Sequence, residues 1–123
     1  MADEEDPKPK QVYWIGTCRT DLRDFPTEVK KEVGTALTAV QWGRDHPSVK
    51  VMQGFGGAAV REVRADHETG TYRVVFTVKP KAIYGLHAFQ KKSKSGRKTP
   101  KEDMDRVKRR LAAAEADYET RFG

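Results

Sequence analysis

The sequence predicts an α+β domain in which N-terminal helices pack on one mainly antiparallel β-sheet and a C-terminal helix follows. Three observations predict it. Val29, Val33, Ala36, Leu37 and Val40 recur at spacings of three and four, which is one apolar stripe of a helix, and Met104, Val107, Leu111, Ala114 and Tyr118 form a second. Between them, residues 49–90 alternate apolar and polar side chains in runs separated by turn residues, the pattern of a strand meander. The length of 123 residues suits a single compact domain.

The elements follow in order. Residues 1–10 are acidic, then Pro/Lys-rich and nearly free of apolar side chains, which predicts a disordered tail ahead of a domain over 11–123. Val12–Ile15 reads as the first strand, and Thr20–Phe25 as a short helical turn. Pro26 suits the first position of a longer helix, where its missing N–H costs nothing, and Gly43 suits its C-cap. Strands are expected over 49–52, 58–65, 71–79 and 82–90. On the third of these Tyr72, Val74, Phe76 and Val78 share one face, and Arg73, Val75 and Thr77 the other. On the fourth, alternation puts Tyr84, Leu86 and Ala88 on one face and Ile83, His87 and Phe89 on the other. Thr99 is placed as N-cap of the last helix, with Pro100 at its first position.

Composition narrows function. One cysteine, Cys18, excludes an internal disulfide framework and a Cys-rich zinc site. His46, His67 and His87 fall in no metal-ligand spacing, so no metal and no cofactor is expected. No apolar run is long enough to span a bilayer, so no membrane association is expected. The acidic N-terminus is not a secretory signal, and a soluble cytoplasmic protein is expected. Twenty-four Lys+Arg against 18 Asp+Glu give a net charge of +6. Four acids lie in residues 3–6, while residues 91–101 hold six bases and no acid, so the remainder of the chain is more basic than the total shows.

The candidate chemistry is cationic. Arg73 projects from the middle of an apolar strand and needs an anionic partner. Two readings stand: a salt bridge to Glu62 or Asp66, or a phosphate clamp. The run of Lys91, Lys92, Lys94, Arg97 and Lys98 at the end of the last strand reads as an anion-binding rim or as a solvated charge run. Arg61 and Arg64 either extend that surface or decorate an edge. His87 is a core histidine or a proton carrier beside the rim. Trp14 and Trp42 are expected in the core.

Tyr13-Trp14-Ile15-Gly16, Asp21-Leu22, Phe25-Pro26, Val40-Gln41-Trp42-Gly43, Lys50 through Phe55, Tyr72 through Phe76, and His87 through Gly96 into Thr99-Pro100 together carry a resemblance. Over about residues 12–111 the chain resembles the phage Gp49-like, HigB-type branch of the RelE/ParE toxin superfamily. The segment from His87 to Pro100 is its most specific part.

The resemblance implies a RelE-like toxin fold and a place in a type II toxin–antitoxin module. The toxin would be a metal-independent endoribonuclease, an mRNA interferase that cuts mRNA on the translating ribosome. A cognate helix-turn-helix antitoxin would neutralise it. Such cleavage needs a base for the 2′-hydroxyl, an acid for the leaving 5′-oxygen and cations around the phosphorane. The resemblance places these roles on Arg73, Lys91 and Lys92, and the remaining bases Arg61, Arg64, Lys94, Arg97 and Lys98 are the expected RNA contacts. Glu62 and Val60 stand where some relatives have lysines, and no tyrosine follows the last strand, so His87 or Lys94 is left to take an acid or base role. The rival expectations are a ParE-like inhibitor of DNA gyrase on the same scaffold and a phage-derived protein without toxicity.

Overall fold

The structure is a computed structural model and describes residues 8–91 and 99–123. The elements run β1 (Gln11–Trp14), α1 (Cys18–Arg23), α2 (Thr27–Gln41), β2 (Val49–Val51), β3 (Val60–His67), β4 (Gly70–Val78), β5 (Ala82–Lys91) and α3 (Lys101–Phe122). The strands form one five-stranded sheet in the order β1-β5-β4-β3-β2. β1 runs parallel to β5, and the other neighbours are antiparallel. The α+β class holds, with a mixed sheet. Helix starts differ from expectation by one residue: Pro26 and Pro100 are the N-caps of α2 and α3, not their first residues. Lys10, at the end of the stretch expected as a tail, donates its backbone N–H to Gln41 O and its Nζ to Lys79 O.

Each face of the sheet carries its own core. On one, Val29, Val33, Ala36, Leu37 and Val40 of α2 meet Val63, Ala65, Val74, Phe76 and Ile83, with Cys18 of α1 beside them. On the other, Val107, Leu111 and Ala114 of α3 cover Val60, Val75, Tyr84 and Leu86. The helical stripes read from the sequence are these two buried faces, although Met104 and Tyr118 are only half-buried. Two aromatic expectations separate. Trp14 packs against the α2-side core, directly over Gly85, where any Cβ would collide with the indole ring. Trp42 is not core: it is 44% exposed just past the end of α2.

β5 departs from simple alternation. Val75 pairs with His87 but Phe76 pairs with Gly85, so Leu86 is an extra residue in a β-bulge. A bulge shifts the phase of every side chain beyond it. Tyr84, Leu86, His87 and Phe89 therefore all lie on the α3 side, while Ile83 and Ala88 lie on the α2 side. The expected grouping of Ala88 with Tyr84 and Leu86, and of Ile83 with His87 and Phe89, is overturned. An all-apolar run such as Ala82–Leu86 carries no alternation from which the extra residue can be read.

Candidate functional site

Register places the candidate residues around Arg73. On β4 it lies opposite Arg64 of β3 and Phe89 of β5. Because Val75 pairs with His87 and Thr71 with Lys91, His87 and Lys91 occupy the two diagonal positions flanking Arg73 on β5. Diagonal neighbours in an antiparallel pair sit about 7–8 Å apart at Cα. Glu62 is the corresponding diagonal neighbour on β3. The bulge makes this possible by turning His87, Phe89 and Lys91 to the face that already holds Arg73.

The group is buried. Arg73 and His87 are each 2% exposed and Lys91 is 7%. Arg73 Nη1 lies 3.5 Å from Glu62 Oε2 and donates to Thr99 Oγ1 at 3.4 Å. The salt bridge to Glu62 is thus the one formed, while Asp66 pairs with Arg64 at 3.6 Å. The hydroxyl of Thr99 faces Arg73 and makes no cap bond to α3, contrary to the expected N-cap. Around Glu62 stand three cations, Arg64, Arg73 and Lys91. Burial, and then the charges of Arg73 and Arg64, push the Lys91 amine below its usual value, and Glu62 opposes them.

His87 belongs to a second pairing. Its Nε2 lies 2.6 Å from Asp103 Oδ1 in the first turn of α3, and its ring stacks on Phe89 at 4.7 Å. Burial lowers the His87 pKa from the ordinary 6.5, and Asp103 works against that shift. The imidazole is therefore neutral at neutral pH. Asp103 and Thr99 are the residues that the sequence reading missed as site members. Each had a sufficient local explanation as a first-turn acid or a cap, and only the tertiary fold brings α3 over β4 and β5.

Not every candidate joins. Arg61 and Arg64 lie on opposite faces of β3: Arg61 shares the side of Val63 and Ala65, and Arg64 the side of Val60 and Glu62. Arg61 instead lines a cavity of about 200 Å³ with Arg44, His46 and Val51. Arg64 is the solvent-reaching member of the group, and with Lys50 and Ser48 it lines a cavity of about 550 Å³. Lys92, Lys94, Arg97 and Lys98 lie outside the described residues. Among the described residues, no cluster of three or more His, Cys, Asp or Glu side chains could hold a metal ion, and no helix is long and apolar enough to cross a membrane.

A family profile described as "Phage derived protein Gp49-like (DUF891)" matches residues 20–112. No curated protein matches. Among solved structures, the toxin–antitoxin complex RelBE2 from Mycobacterium tuberculosis is similar with a TM-score of 0.48 and 17% identity, over 73% of this chain and 100% of that one.

Proposed function

From the premise that the chain belongs to the phage-derived Gp49-like family, we propose that it is the toxin of a type II toxin–antitoxin module and acts as a metal-independent endoribonuclease on ribosome-bound mRNA. Its partners on this reading are mRNA, the ribosome and a cognate helix-turn-helix antitoxin, and its place is the cytoplasm. One observation carries the nuclease reading: a buried arginine flanked on the neighbouring strand by a histidine and a lysine, each with a lowered pKa. A fold needs no such group for stability, because ion burial costs more than apolar packing of the same volume. Metal-free phosphodiester cleavage needs a base, an acid and a cation, which are the kinds of group gathered here.

The roles follow from charge and protonation. Arg73 binds the scissile phosphate with its planar guanidinium, in place of the Glu62 and Thr99 contacts that hold it in the free chain. Neutral His87 takes the proton of the 2′-hydroxyl as the 2′-oxygen attacks phosphorus. The bond from phosphorus to the 5′-oxygen breaks, and the Lys91 ammonium protonates that oxygen. The products are a 2′,3′-cyclic phosphate and a 5′-hydroxyl, and solvent returns the proton from His87 to Lys91. Arg64 contributes an exposed positive charge for the RNA backbone.

The test is induction of the wild type and of an Arg73→Ala, Lys91→Ala variant in cells, followed by mapping of mRNA 5′ ends. New 5′ ends with the wild type alone are expected. Growth arrest with intact transcripts overturns the reading, and inhibition of purified gyrase would then mark the ParE-like rival.

A further inference from the structure

The pairing of His87 with Asp103 assigns a role to a residue outside the cationic group. We propose that Asp103 is the positioning residue for His87: it fixes the imidazole as its Nε2–H tautomer, so that Nδ1 is the atom that accepts the 2′-hydroxyl proton. This rests on the nuclease reading above.

Three features carry it. An ionised carboxylate only accepts hydrogen bonds, so at 2.6 Å from Asp103 Oδ1 the Nε2 atom bears the proton. The neutral ring has one proton to place, which leaves the lone pair on Nδ1. His87 Nδ1 is buried and has no hydrogen-bond partner among the described residues. Buried polar atoms are almost always satisfied, so this acceptor calls for an explanation, and a role in proton transfer supplies one. Stacking on Phe89, at an interplanar angle of 14°, holds the ring plane against rotation about its axis. The tautomer and the plane are thus both set before any substrate enters.

The charges facing the ring give the sign of the pH effect. They are Asp103, Arg106 and Arg110 of α3, with Arg73 one diagonal position away on β4. Asp103 is the one that favours imidazolium, so its removal makes His87 a weaker base. The acid limb of the cleavage profile then moves to lower pH.

The experiment pairs long-range ¹H–¹⁵N spectra of the histidines with the pH profile of mRNA cleavage on purified translating ribosomes. It compares the wild type, Asp103→Ala and the near-isosteric Asp103→Asn. The wild type is expected to carry its proton on Nε2. Asp103→Ala is expected to mix the two tautomers and to lower kcat about ten- to a hundredfold, part of what a general base supplies. Both variants are expected to shift the acid limb downward. A wild-type ring protonated on Nδ1 overturns the proposal outright. Cleavage by the wild type, with tautomer and acid limb unchanged in both variants, overturns it while the nuclease reading stands. No cleavage by the wild type removes that reading and this inference together.

Discussion

The two faces of the sheet bury side chains for different ends. Under α2, strand residues Val63, Val74, Phe76 and Ile83 meet an apolar helix stripe without a buried charge among them. Under α3, the half beneath Val107, Leu111 and Ala114 is apolar, while the half beneath the start of the helix holds Arg73, Glu62, Lys91 and His87. The same helix therefore covers a core at one end and a charged group at the other. Packing explains the first. The second is a departure that local stability does not require, and such departures concentrate at functional sites.

Separating the two faces by mutation gives the largest expected effect. Arg73→Met with Glu62→Leu replaces a buried ion pair with apolar side chains of similar size. Cleavage should fall about a hundredfold or more as phosphate stabilisation is lost. Denaturant unfolding should show unchanged stability, or a gain of up to about 1–4 kcal/mol. A double variant that unfolds would make the charged half structural and erase the contrast. On the α2 side the opposite pattern is expected. Phe76→Ala should cost about 3–5 kcal/mol of stability, measured the same way, because a fully buried ring leaves a cavity.

Gly85→Ala tests whether β1 is tied to β5 by the close seat of Trp14 on that glycine. A methyl there forces the indole to move and should cost about 1–3 kcal/mol. Acid titration probes the charged half again. His87 titrates below 6.5 in the folded chain, so between that lowered value and 6.5 the unfolded chain binds more protons. Stability should fall as pH drops through this window, and His87→Phe should flatten that part of a melting-temperature profile. The smallest effect is expected for Arg61→Ala, on the other face, which should leave cleavage within about twofold. Arg64→Ala should reduce the salt dependence of RNA binding by roughly one phosphate contact.

The sequence made the α2 face readable because period and chemistry agree there: every third or fourth residue from Val29 to Val40 is apolar, and each of them is buried. The alternation of β4 was readable for the same reason, and it placed Arg73 on the correct face. β5 was not, since Ala82–Leu86 is apolar on both faces and hides an added residue. Trp42 misled because size predicts burial only on average, and it sits at the helix end, where packing stops. Of the site, the residue types and their strands were visible in the sequence. The order around Arg73 was not, since it comes from cross-strand register, and the share of α3 in the site comes from tertiary packing that no local pattern encodes.

The bulge at Leu86 has a consequence for how such a protein can arise. Along a strand, each position's side is a matter of odd or even count, and one inserted codon reverses the parity of all that follows. Without that insertion, His87 and Lys91 would be directed to the α2 side of the sheet, away from Arg73. A single-residue indel is thus enough to bring His87 and Lys91 to the side of the sheet that holds Arg73.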